Sequence, residues 1–224
     1  MITATSLGLE IKSQVFTACF GNKSATLDRF KEAYPDFSFQ TMHQVHGDTN
    51  VELKSFMNTE PQADALVTSS PKIALIVKSA DCLPILIVGN KGKKIAAIHA
   101  GWRGIENRIF VKTANKHFPH DTGLSVYVGP HILFSSFEVS TDVKDLLLES
   151  AKVKTETPDL VKPKENGKYL VNLFGLLQFQ LQELKVESDH LQAYLEDTVT
   201  SNHLNSFRRD AKNAGRNLSF IALN

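Results

Sequence analysis

Four short β-type runs crowded between residues 65 and 99 constrain this chain more than anything else in it. Ala65 to Thr68, Ile73 to Val77, Leu83 to Val88 and Lys94 to His99 are separated by turn chemistry at Ser69-Ser70-Pro71, Ser79 to Asp81 and Gly89-Asn90-Lys91-Gly92. The last of these turns is short enough to close a hairpin between the Leu83 and Lys94 runs. Such a hairpin brings Cys82 and His99 to the same end of two antiparallel neighbours, although seventeen residues separate them in sequence.

The flanking segments mix strands and helices. Gln14 to Phe20, Phe37 to Met42, Asn50 to Leu53, Leu124 to Val128 and Leu218 to Leu223 read as strands. Helices are expected at Ser24 to Ala33 with Ser24 as N-cap, and unbroken through Ile105 to Phe118. Two more are expected at Thr141 to Lys152 with Thr141 as N-cap, and at Val171 to Leu184 capped by Asn172. The last has Leu173, Phe174, Leu177 and Leu181 on one face. The polar stretch Thr155 to Lys168, with Pro158 and Pro163, reads as a flexible loop or lid. Strict βα alternation is missing. The expected fold is therefore α+β, a single domain over 1–224 with a mixed, largely antiparallel sheet and helices packed outside.

Composition narrows the function classes. With 25 basic against 24 acidic residues and a net charge of +1, no long-range field favours nucleic acid or an anionic membrane. Cys19 and Cys82 are too few for a secreted disulfide scaffold, though a Cys19–Cys82 bridge stays open. Nothing in Met1 to Lys12 has signal-peptide character, and the apolar runs are far too short to span a bilayer, so a reduced cytoplasmic protein is expected. Phosphate-cradling Gly-rich loops, a Gly-x-Ser-x-Gly elbow and paired-cysteine zinc motifs are missing, which argues against P-loop and hydride-transfer chemistry.

The chemistry concentrates in three segments: Gln44-Val45-His46-Gly47, Ser79-Ala80-Asp81-Cys82-Leu83-Pro84 and His99-Ala100-Gly101-Trp102-Arg103-Gly104. His46, Cys82 and His99 can make a three-ligand zinc site with an open fourth position. Cys82 and His99 can equally make a nucleophile pair. A cysteine in a β-rich segment is ordinarily a small buried hydrophobe, but the turn before Leu-Pro favours a functional thiol. His99 has a bland alternative as a structural cap, and a turn histidine such as His46 is ordinarily just solvated. His43 stands at helical ligand-pair spacing from His46, but Phe37 to Met42 looks extended and the pair is discounted. Asp64 either orients a histidine or forms a turn, and alone the turn is favoured. Arg103, between two glycines at a helix start, suits an anion, with a surface salt bridge as the competing reading. Trp102 reads as core or cleft wall. Arg208, Arg209 and Arg216 form a C-terminal basic cluster, which by itself means a solvated face.

Taken in order, these segments resemble the YfiH-type family, also called the laccase-domain or multicopper polyphenol oxidase family, which includes purine nucleoside phosphorylases. The resemblance runs through Gln44 to Gly47, Ala63 to Thr68, Ser79 to Pro84 and His99 to Gly104. It continues through Val128-Gly129-Pro130, Phe137-Glu138-Val139 and Val171-Asn172-Leu173 to Ser206-Phe207-Arg208-Arg209-Asp210. It implies Zn²⁺ on His46, Cys82 and His99, with copper as an alternative. It also implies phosphorolysis of adenosine, inosine, guanosine and methylthioadenosine, with adenosine deamination in the same site. On that reading the partners are a purine nucleoside and phosphate, with Arg103 the first phosphate candidate and Arg208 and Arg209 weaker ones. Asp64 would orient a metal-bound histidine. The chain departs from the family's habit at Val199-Thr200, where Cys-Thr is common, and at His131, a possible extra ligand. The competing functions are a metal-free cysteine hydrolase or amidase, which the family's link to peptidoglycan-precursor editing suggests, and a copper-dependent polyphenol oxidase. Eight histidines in all are few for a multicopper centre.

Overall fold

A computed structural model describes residues 1–119, 121, 123–153 and 155–224. Its frame is two six-stranded sheets. The first runs in the order β1 (Ile2–Thr5), β2 (Gly8–Lys12), β3 (Phe16–Gly21), β15 (Asn217–Leu223), β7 (Ile73–Ser79), β4 (Ser38–Gln40). The second runs β14 (Leu191–Ala193), β10 (Ser125–Val128), β8 (Leu83–Gly89), β9 (Lys94–Ala100), β6 (Ala65–Thr68), β5 (Asn50–Leu53). Among the described strands the parallel pairs are β4–β7, β5–β6 and β10–β14. A small third sheet joins β11 (Glu138–Val139), β13 (Tyr169–Val171) and β12 (Val161–Pro163). The helices are α1 (Leu27–Ala33), α2 (Trp102–Glu106), α3 (Ile109–His117), α4 (Thr141–Ser150), α5 (Leu173–Glu183) and the one-turn α6 (Phe207–Asp210).

The period-two alternation of strand side chains sorts the core into layers. Leu86, Val88, Ile95 and Ala97 face inward and pack with Ala18, Leu75, Val77 and Ile221 of the other sheet. Leu83, Ile85, Ile87, Ala96 and Ile98 point the opposite way, against Ile105, Phe110, Leu147 and Leu177 of the helices. On the far side of the first sheet, Ala74, Ile76, Cys19 and Phe220 pack on Phe30 of α1 and on Phe39. The order is helix, sheet, sheet, helices. Burial on both faces explains why the central strands are unbroken apolar runs rather than alternating ones. The expected mixed, largely antiparallel α+β fold with outer helices is what forms.

Four local expectations are corrected. The helix expected through Ile105 to Phe118 is two helices, because Arg108 takes a left-handed conformation (φ 58°) between them. Its guanidinium is drawn to Glu183 (2.8 Å) and to the Ser150 carbonyl (3.2 Å). The stretch 155–168 is not a bare loop: Val161–Pro163 pairs with β13, Gly167 turns the hairpin at φ 74°, and Lys164 and Lys168 both pair with Glu138. Helix α1 starts at Leu27, capped by Thr26, whose hydroxyl accepts from the Arg29 N–H. Ser24 is not the cap because its hydroxyl is engaged upstream, with the Ser6 carbonyl and Asn22. Asn172 caps α5 as expected, accepting from the Gly175 N–H at 2.9 Å, while Ser140 rather than Thr141 precedes α4.

Phe220 is fully buried where the rings of Phe30, Tyr34 and Phe39 meet it edge-on at 5.0 to 5.2 Å. Replacing it with alanine removes most of a ring and leaves a cavity; denaturant unfolding should show a loss of about 3–5 kcal/mol.

Candidate metal and catalytic site

The β8–β9 hairpin forms as expected, with Pro84 opposite His99 and Leu83 opposite Ala100. Cys82 lies one residue before β8 and His99 one before the end of β9, so the register places thiol and imidazole together. The third group arrives on β5, which lies parallel to β6 and is preceded by the His46 turn. One ligand atom from each of His46, Cys82 and His99 falls within 4.8 Å of the other two, and the two imidazole rings stand 4.9 Å apart and nearly perpendicular. Among the described residues this is the one three-ligand cluster of His, Cys and acidic side chains.

Asp64 organises the cluster. It is fully buried just before β6. Its Oδ1 lies 2.9 Å from His99 Nδ1 and accepts the His46 N–H at 3.0 Å, while Oδ2 accepts the Gly47 N–H at 2.8 Å. The His99 N–H returns a bond to the Asp64 carbonyl at 2.8 Å. Thus one carboxylate orients the His99 ring and holds the backbone of the His46 turn. Between the two readings of Asp64 left open by the sequence, the geometry places it against a histidine.

The protonation energetics follow. Burial would pull the His99 imidazole down, but Asp64 and the neighbouring Cys82 outweigh it and raise its pKa to about 9. Burial would raise the Asp64 carboxyl, yet the His99 ring and the N–H groups of Gly47 and His46 hold it below the usual carboxylate range. His46 titrates lower than an ordinary histidine, through burial and then through the positive fields of His99, Arg103 and Arg216, which Asp64 only partly opposes.

Both turns that carry ligands are conformationally unusual. His46 has φ 60° and Asp81 has φ 90°, left-handed values that cost a non-glycine residue on the order of 1–3 kcal/mol. The Asp64 bond to the His46 N–H holds the first. The second is held by the Asp81 side chain, which accepts the Thr198 hydroxyl and the Arg208 N–H, each at 2.6 Å. Gly101 is required for a different reason: a Cβ there would lie 2.9 Å from the Cys82 sulfur.

The cluster lies in the wall of a cavity of about 570 Å³, whose lining also includes Trp102, Phe137 and Phe207. Arg208 reaches it; Arg103 and Arg209 are not among its lining residues. Arg103 is exposed and lies over the Trp102 ring at 4.4 Å. Arg209 is a clasp, donating to the carbonyls of Thr198, Val199, Ser201 and Leu204 and pairing with Asp210. His131 is 1% exposed, its Nδ1 2.8 Å from the Gly129 carbonyl oxygen and its ring 5.9 Å from Phe174, and it is not a member of the three-ligand cluster. Lys78, Arg216 and His43 line the cavity without having been assigned to it from sequence. Nothing local marks Lys78, while Arg216, read as solvated, carried a signal only in the Gly215-Arg216 pair ahead of a predicted strand.

A layered α+β protein with a His-Cys-His cluster in a cavity wall is the class these features define. The chain belongs to the multi-copper polyphenol oxidoreductase laccase family, whose model matches residues 22–224. Purine nucleoside phosphorylase YfiH of Escherichia coli K12 is 31% identical over 185 residues, covering 81% of this chain and 72% of that protein. A purine nucleoside phosphorylase of Haemophilus influenzae is 32% identical over 184 residues, 80% of this chain and 71% of its own. For the Rickettsia conorii relative of the same name the match takes in 71% of this chain but only 65% of that protein. The fold is that of Bacillus licheniformis YfiH, with a TM-score of 0.84 at 18% identity over 100% of this chain and 99% of that one. A Neisseria meningitidis protein superposes with a TM-score of 0.83 at 23% identity, over 98% and 100% of the two chains. Among the described residues no helix is long and apolar enough to cross a membrane.

The donor set tests well for a metal. Two imidazoles and a thiolate suit zinc or copper rather than a hard cation, and small inward shifts from this spacing allow bonds of about 2.0–2.3 Å to one ion. Because Asp64 holds one ligand ring and the backbone of another, Asp64→Ala should weaken Zn²⁺ binding by roughly 10–100-fold in competition with a chromophoric chelator. Gly101→Ala should also lower zinc occupancy, by crowding the sulfur.

Proposed function

We propose that this chain is a zinc-dependent purine nucleoside phosphorylase that acts on adenosine, inosine, guanosine and methylthioadenosine and also deaminates adenosine. The convergence of His46, Cys82 and His99 on one cavity carries the reading. It is supported by the names of relatives about 31% identical.

In this reading His46, Cys82 and His99 hold the ion and Asp64 fixes the His99 ring with its Nδ1 engaged, leaving Nε2 for the metal side. The bound ion supplies Lewis acidity and a position at which water or a substrate oxygen is polarised. The chain's own groups do the rest. Phe207, Phe137 and Trp102 offer flat apolar surfaces in the cavity lining to a purine base. The cationic side chains in the cavity favour an anion beside the ribose, where positive charge develops as the glycosidic bond breaks. Phosphate then bonds to C1′ as the purine leaves with the bond's electron pair and takes up a proton. We propose the arginine at 208, in the cavity, ahead of the exposed Arg103 and the clasped Arg209 for that anion.

A second reading has its own observation. Cys82, His99 and Asp64 form a thiol–imidazole–carboxylate series, the arrangement of a cysteine hydrolase. Polyphenol oxidation by a multicopper centre lacks support, since the described residues offer a single three-ligand cluster.

Chromatography of products from adenosine, with and without phosphate, decides between these. Zinc-loaded wild type should release adenine only with phosphate, and inosine without it, and Cys82→Ala should lose both. A protein that turns over none of the four nucleosides, or hydrolyses amides after complete chelation yet dies on thiol alkylation, rejects the nucleoside reading.

A further inference from the structure

Arg208 and Arg216 are far from the thiol in sequence, yet both line its cavity. Among the described residues neither guanidinium forms an ion pair, whereas Arg108 pairs with Glu183 and Arg209 with Asp210. Both are instead anchored by neutral carbonyls. Arg208 donates to Ser136 and Glu138 at 3.1 Å each, and Arg216 to Ala214 at 3.0 Å and Gly215 at 2.9 Å. Carbonyl acceptors fix direction without cancelling charge, and each guanidinium keeps N–H donors to spare.

The segment between them is locked. The Ser206 hydroxyl accepts the Arg209 N–H and caps α6. Asn217, buried at the start of β15, accepts the Asn205 N–H at 2.8 Å and donates to its carbonyl at 2.9 Å. Gly215 packs so closely that a Cβ would lie 2.7 Å from Asn205 Oδ1. Asp81, the carboxylate that lines this cavity, has both oxygens engaged by Thr198 and the Arg208 N–H. Lys78 is tied to Glu60 at 3.3 Å. What remains among the described residues is a pair of pre-oriented forks without an ion-pair partner, beside the candidate metal site and in a cavity whose one lining carboxylate is Asp81.

We propose that Arg216 and Arg208 form the oxyanion subsite of this cavity, taking inorganic phosphate as co-substrate, with Arg216 contributing a charged fork that no carboxylate partner offsets. The assignment rests on the phosphorylase reading for the identity of its ligand. It moves the phosphate away from Arg103, whose guanidinium lies on the Trp102 face. Two forked guanidinium groups match the oxygens of a phosphate dianion better than a lysine point charge does.

Calorimetric titration of inorganic phosphate into the zinc-loaded protein tests this without requiring turnover. Arg216→Gln should weaken phosphate binding roughly 10–100-fold, as expected for losing charge-assisted bonds. Arg216→Lys should fall between it and wild type, and Arg103→Gln should cost less than Arg216→Gln. Arg216 is exposed, so folding is not at stake, and an unchanged melting temperature will check it. Wild type that binds no phosphate, Arg216→Gln that binds it as wild type does, or a larger loss in Arg103→Gln overturns the subsite. The two readings fail separately. Phosphate bound through Arg216 with no nucleoside cleaved retains the subsite and rejects the phosphorylase. Phosphorolysis with an unchanged KM for phosphate in Arg216→Gln does the reverse.

Discussion

The carboxylate of Asp64 is the point on which the site depends. It is completely buried, and a charge so placed is tolerated only when its oxygens are satisfied. Here the acceptors face a histidine ring and the N–H groups of the His46 turn. That turn contains a left-handed non-glycine residue and has no regular element of its own. Removing the carboxylate would free both the ring and the turn, so two ligands of the cluster share one support. The third, Cys82, has a separate anchor in the Asp81 contacts to Thr198 and Arg208. The cluster is therefore assembled by two carboxylates that do not themselves belong to it.

Much of this was legible in the chain. The hairpin between Leu83 and His99 follows from two apolar runs and a short polar turn, and its register delivers Cys82 to His99. The convergence of His46 was harder, because a turn histidine has no pattern of its own; only its order among the other motifs suggested it. For Asp64 the residues alone leave a turn former and a support for a histidine both open, because a single aspartate between alanines gives no sign that the N–H groups of His46 and Gly47 and a ring converge on it.

The failures share a cause. Arg108 breaks the 105–118 helix through tertiary partners on α4 and α5, which the local pattern around it does not contain. The 155–168 stretch looked like a lid because charged residues hide its pairing, which is held by Glu138 from a distant strand. Arg209 looked like Arg208, but the four carbonyls that capture it come from an irregular loop. Arginines that bind a ligand and arginines that tie down backbone are alike in sequence. They differ only in what surrounds them.

The place of β15 carries a consequence for how the molecule is made. This last strand does not lie at an edge; it is inserted between β3 and β7, antiparallel to both. Its partners were synthesised some two hundred and some one hundred and forty residues earlier. Until β15 is in place the first sheet is therefore open down its middle. Contacts of such long separation are closed late and slowly. Arg216 stands immediately before this strand, so the cavity gains its final cation in the same step that zips the sheet. Closure of the first sheet and completion of the pocket thus depend on the same strand.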